Sequence, residues 1–212
     1  MKKLLIIISL AIVSTSIMAQ DSDEIKTLFS KDARNGGYFG LDFGYGQLED
    51  HNLVNTGVRA SWILAHNLGI GLAANGFFTD FTYNKPKEEY HNIQGGSAGF
   101  IIEPIVGARL PVHLSVPLYF GVGGAAFTTS YKDYYSDPIN DNYDENSVMY
   151  YDDFDMYLTF KPGVEIELNL LRFFRLGIGG YYTFTTDIEL AGLDKDGLNG
   201  WQAGVSLKFG RF

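Results

Sequence analysis

From residue 37 onward, apolar positions alternate with small or polar ones at every second residue. The last stretch, 201–212, shows it most plainly. Trp201, Ala203, Val205, Leu207 and Phe209 share one side; Gln202, Gly204, Ser206, Lys208 and Gly210 share the other. A strand sends successive side chains to opposite faces, so this period marks a strand with one oily face. The same pattern predicts seven more strands, at 37–47, 56–64, 68–81, 94–110, 114–131, 154–169 and 173–188. Tight turns are expected at 65–67, 111–113 and 170–172, and longer polar connections at 47–55, 82–92, 132–153 and 189–198. Pro104 and Pro162 fall inside predicted strands. Each lacks a ladder donor there and marks either a bulge or a misjudged strand boundary.

The side opposite the oily one carries glycines together with Asp42, Arg59, Glu103, Arg109, Lys161, Glu165, Glu167, Arg175 and Lys208. A soluble barrel would turn its hydrophobes inward and these charges to water. The glycines argue the reverse, since they make room on a crowded face. Short and long connections alternate, as in membrane barrels with tight turns on one side and longer loops on the other. Aromatics gather at predicted strand ends. Phe78, Phe81, Phe127, Tyr131, Phe154, Tyr157 and Trp201 lie at the long-loop end, and Trp62, Phe173, Phe174, Phe209 and Phe212 at the other. Such girdles sit at lipid headgroups. The expected fold is all-β: an eight-stranded antiparallel up-and-down transmembrane β-barrel over 36–212. Trp201, Val205, Leu207 and Phe209 of the closing strand should face lipid, and the nine charged residues should form an interior network. Eight strands leave an interior just wide enough for side chains to fill. The competing fold is a soluble, lipocalin-like barrel with its faces exchanged.

Composition adds to this picture. Lys2 and Lys3 precede the apolar run 4–13, and Ile17-Met18-Ala19 ends in a small residue. That is the layout of a cleaved signal peptide over 1–19. Residues 20–35 then read as a short periplasmic leader. There is no cysteine, so a disulfide framework and a thiol nucleophile are excluded. The net charge is −9, and losing the two lysines of 1–19 makes it −11, which disfavours nucleic acid as a partner. Beyond residue 20 no apolar run is long enough for a membrane helix.

The signal peptide with Ala19-Gln20, the eight strands and the terminal Phe212 resemble the small outer-membrane protein β-barrel family, related in design to the OmpA-type membrane domain of Gram-negative bacteria. The resemblance implies location in the cell outer membrane, with membrane lipid and the barrel-assembly machinery as partners. In that family the terminal aromatic is often in phase with the lipid-facing residues. Here Phe212 is out of phase with Phe209, Leu207 and Val205. Either 210–212 form a tail, or recognition by the machinery uses Phe209.

Candidate chemistry is sparse. His66 and His113 fall at predicted periplasmic turns, and His51 and His91 in predicted external loops. Ser61 and Ser115 lie near two of them without a convincing acid, so no catalytic residue is assigned. Asp137, Asp141, Asp144 and Glu145 could offer oxygens to calcium, but their spacing does not match an EF-hand and a solvated acidic loop is the simpler reading. No metal cluster or cofactor fingerprint is recognised. The expected function is a non-enzymatic outer-membrane barrel with a filled lumen, meeting an extracellular or envelope partner through acidic, Tyr-rich loops. The alternatives are a narrow channel or transport accessory and a membrane-embedded lipid-modifying enzyme.

Overall fold

The computed structural model describes residues 35–48, 51–84, 89–135, 144–190 and 193–212. The expected signal peptide and all but the last residue of the leader lie outside these, as do Asp137 and Asp141 and the side chains of Asp144 and Glu145. The strands are β1 (Gly36–Leu48), β2 (His51–Leu64), β3 (Leu68–Thr79), β4 (Thr82–Asn84), β5 (Glu89–Val106), β6 (Val112–Ser115), β7 (Leu118–Tyr135), β8 (Asp144–Leu171), β9 (Phe174–Thr185) and β10 (Gly200–Arg211). Every pairing is antiparallel. β4 pairs with β5 beyond the end of β3, and β6 and β7 both lie between β5 and β8. The ten strands therefore occupy eight positions, and the β3–β5 and β1–β10 pairs close the ring.

The register can be followed right round. Phe184 lies opposite Phe160, which lies opposite Phe120, then Phe100, Leu72, Ala60, Phe39, Phe209 and finally Phe174. The walk begins and ends on β9, displaced by ten residues along it. Such a stagger is what tilts the strands of a closed barrel by roughly 35–45°. The same walk traces a spiral around the outside that is aromatic except at Leu72 and Ala60. The Phe120 and Phe160 rings stack at 4.6 Å, and Phe174 and Phe209 at 4.8 Å.

The oily side chains point outward. Trp201 is 72% exposed and Leu158 62%, and Val205, Phe209, Ile178, Ile166, Phe100 and Phe43 are exposed as well; Leu207 is half-buried on the same side. Glu103, Glu165 and Glu167 are fully enclosed. From Trp201 to Phe209 the exposed row of β10 rises roughly 20 Å, at about 3.3 Å per residue and the tilt above, close to the height of an outer-membrane apolar band.

Several expectations need correction. The connection expected over 47–55 is mostly strand, because β2 starts at His51. β7 and β8 likewise run to Tyr135 and from Asp144, into the expected acidic loop. Antiparallel ladders need only backbone partners, so these hairpins continue where the oily alternation stops. The turn expected at 111–113 lies at 107–111 instead, and Val112 and His113 belong to β6. Gly107, at φ 75°, ends β5 there, and the alternation loses its phase. Arg109 is therefore exposed in the turn and Ala108 is buried, the reverse of the expected phase. Pro104 and Pro162 insert no extra residue. β8–β9 pairing skips Pro162 without a register shift, and Pro104 faces the break between β6 and β7, where its carbonyl accepts from Val116 N at 2.9 Å. Tyr157 and Phe127 are not girdle residues: Tyr157 is buried inside, and Phe127 packs against an interior cluster.

Candidate functional site

The enclosed face builds the site, and glycines give it room. Each of six charged side chains lies directly opposite a glycine on a neighbouring strand. Asp42 faces Gly57, Arg59 and Lys208 both face Gly40, Glu103 faces Gly69, Glu165 faces Gly179 and Glu167 faces Gly177. A Cβ at Gly40 would fall 2.8 Å from Arg59 Cγ, and one at Gly179 would fall 2.8 Å from Glu165 Cγ. The missing side chains are the space through which the long charged ones cross the lumen.

At the centre stands Lys208. Its Nζ donates to Glu103 Oε1 and Glu167 Oε1 and lies 2.9 Å from Glu165 Oε2. These three carboxylates bring oxygens within 4.8 Å of one another, the spacing of a metal site, but the ammonium occupies their middle. Arg59 forks onto Asp42 at 2.8 and 2.5 Å and reaches Glu165 Oε1 at 2.9 Å. Tyr38 donates to Glu103, Tyr181 to Glu165 Oε1 at 2.6 Å, and Ser206 to Glu165 Oε2 at 3.1 Å. Arg175 lies opposite Lys208 on the neighbouring strand, a like-charge pair that Glu167 separates by contacting both. On its far side the Arg175 guanidinium lies 3.9 Å over the Phe212 ring. Phe212 therefore faces the lumen and closes its short-turn end, just past the last residue of β10.

Of the nine charges expected inside, the structure brings Asp42, Arg59, Glu103, Glu165, Glu167, Arg175 and Lys208 into this cluster. Lys161 sits higher, bonded to Asn75 Oδ1 at 3.2 Å and between the Tyr119 and Tyr181 rings. Arg109 is outside it altogether. Without Arg109 the enclosed set has four cations and four anions, so its formal charge cancels.

One member was missed. His113 is buried, and its Nε2 lies 2.8 Å from Glu167 Oε2, its direct neighbour across the β6–β8 ladder. The signal was present in Val112-His113-Leu114-Ser115, which alternates like any other strand here. Reading Pro111 as the start of a turn hid it. Ser115, His113 and Glu167 thus assemble the residue types of a nucleophile, base and acid. The Ser115 hydroxyl, however, is directed at Glu165 Oε2 at 3.5 Å, and all three groups are sealed in the lumen. A nucleophile needs its base within reach and a path for substrate.

Two further layers lie between the cluster and the loops. Small cavities of about 30 and 40 Å3 flank Lys161. Each has room for a water or two. Above them, Ile188, Leu190 and Leu198 of the 186–199 connection fold into the mouth. There they pack on Leu48, Leu53, Ile93 and Tyr157. The connection is pinned by Ile188 N to Lys195 O at 3.0 Å and by Glu189 N to Asp155 Oδ2 at 2.7 Å.

No known protein-family model matches the sequence, and no curated protein matches it. Solved structures do match. The crystal structure of Neisserial surface protein A superposes with a TM-score of 0.51 at 6% identity, covering 82% of this chain and 96% of that one. The chain has the fold of a small outer-membrane β-barrel. Ail, the attachment invasion locus protein of Yersinia pestis, also matches, at 12% identity, 82% and 97% coverage and a TM-score of 0.42. So does the N-terminal β-barrel domain of Pseudomonas aeruginosa OprF, at 10% identity, 84% and 99% coverage and a TM-score of 0.42.

Proposed function

We propose that this barrel is an integral outer-membrane protein with a closed lumen and no enzymatic activity, and that it acts structurally or by presenting its long-loop end to an envelope or extracellular partner. The observation that carries the reading is the inverted distribution of side chains: oily residues outside, paired charges inside. Lipid offers no hydrogen bonds to a backbone, so a sheet survives there only when closed on itself, as this one is. The exposed groups of the 186–199 connection, Asp187, Glu189, Asp194 and Asp196 against Lys195, make that end acidic. An acidic rim favours cationic or divalent-bridged partners.

Membrane fractionation followed by gel mobility with and without boiling tests the reading. The protein should need detergent for extraction, and it should run compact unheated and slower once boiled. Extraction in plain buffer, or identical mobility in both lanes, would overturn it. The sealed Ser115–His113–Glu167 grouping is the one observation toward lipid-modifying activity; unchanged membrane lipid composition on expressing the protein and its His113→Gln variant removes that alternative.

A further inference from the structure

The short-turn end carries a feature that neither the closed lumen nor the acidic rim uses. An open bowl of about 720 Å3 lies there, lined by Arg109, Arg172, Arg175, Leu170, Leu171 and Phe212 among others. Arg109 and Arg172 are exposed on two different turns, and no described residue forms an ion pair with either. Arg175 lies deeper, only 3% exposed, and its Nε has no hydrogen-bond partner. Its Nη1 and Nη2 reach Glu167 Oε2 at 3.5 Å and Ala108 O at 3.4 Å. Among the described residues no exposed Asp or Glu lies at this end, while Arg211 adds a fourth cation nearby. A chain of net charge −9 thus keeps one end basic.

The position of the bowl narrows its occupant. Leu170 and Leu171 line it and are exposed, and Leu110 and Phe173 continue the apolar surface beside it. The bowl therefore opens where the oily belt meets water. A ligand suited to it has an anionic head for the arginines and an acyl body for the leucines. Arginine forks match phosphate oxygens in geometry and charge. We infer that the bowl formed by Arg109, Arg172 and Arg175 holds the phosphate headgroup of an anionic phospholipid in the leaflet at the short-turn side of the membrane. This rests on the membrane reading above and adds a ligand to it.

The test reconstitutes the full-length protein in nanodiscs of equal phosphatidylglycerol and phosphatidylcholine, transfers it to detergent, and counts retained lipid by native mass spectrometry. Each preparation first has to show the boiling-dependent mobility shift. Failure of the wild type at that step strikes the membrane reading itself, and the bowl with it. Given the shift, the wild type should retain phosphatidylglycerol over phosphatidylcholine. Arg109→Gln and Arg172→Gln should each cut that retention about tenfold, the factor for about 1.4 kcal/mol, near the loss of one charge-assisted hydrogen bond to phosphate. Arg211→Gln, outside the bowl, should leave it unchanged. Equal retention of the two lipids overturns the inference, as does an equal loss in the Arg211 variant, which would mean a diffuse field. Displacement by millimolar inorganic phosphate would show a free-anion site and overturn the lipid assignment.

Discussion

At the scale of single residues, one ammonium decides whether the interior is tolerable. Lys208 touches three enclosed carboxylates; removing it leaves Glu103 without a cation, while Glu165 keeps Arg59 and Glu167 keeps Arg175. Breaking a buried pair costs about 3–5 kcal/mol, because the surviving charge stays desolvated. Lys208→Met should therefore lower stability by about that amount, read as the urea midpoint of the micelle-bound barrel. Adding Glu103→Gln should recover part of it, since one excess negative charge is gone. Arg109→Gln should shift the midpoint by less than about 0.5 kcal/mol, as for most exposed sites. Equal losses in Lys208→Met and Arg109→Gln would mean that the network contributes nothing. A second residue-scale feature is the β2–β3 turn. Ala65 and His66 both have positive φ, 49° and 63°, and Asn67 N bonds Leu64 O at 3.0 Å. Within the three-residue loop 65–67, these two consecutive positive-φ residues closed by that bond have the form of a type I′ turn, which favours Asn-Gly. Ala65→Asn with His66→Gly should stabilise the barrel by about 0.5–1 kcal/mol in the same titration. No gain would mean that the turn is not strained.

At the scale of elements, the eight positions of the ring and the direction of each face were legible from alternation, because the period of two is imposed by the backbone and the belt is long. The ends of elements were not. Beyond the belt a strand need not be oily, so His51–Asn55 looked like loop although β2 pairs with β1 from His51 onward. Alternation carried across Gly107 puts Arg109 inside, but the left-handed backbone at Gly107 breaks the phase. A turn read from Pro111 onward leaves His113 out of the lumen, although β6 already starts at Val112. Of the 186–199 connection, 189–198 is legible only as a loop, and alternation carries the strand on through 186–188, past the end of β9 at Thr185. Nothing in its local pattern says that Ile188, Leu190 and Leu198 would turn back into the barrel, since their partners Leu48, Leu53 and Ile93 are remote in sequence. That cap yields its own prediction. Ile188→Ala or Leu198→Ala should each cost about 2–4 kcal/mol, as for truncation of a buried aliphatic side chain, and should open the connection to protease while the barrel stays intact. Unchanged proteolysis would mean that the cap does not hold the loop.

At the scale of the whole molecule, the lumen is blocked in series. The hydrophobic cap closes the long-loop end, the Tyr119–Lys161–Tyr181 tier crosses the middle, and the charge cluster with Phe212 closes the short-turn end. Ions must pass every tier, so the tightest one sets the conductance. The charge cluster is that tier, because its groups are bonded to one another and an entering ion would have to displace several paired charges at once. Planar bilayers containing the purified barrel should therefore stay silent at moderate voltage. Shortening the 186–199 connection removes only the first tier and should leave them silent still, although the protein becomes protease-sensitive. The contrast separates a plugged barrel from a gated one: if the loop were a gate, its removal would produce steady current. Reproducible open steps from the intact protein would contradict the sealed lumen outright and favour the narrow-channel reading.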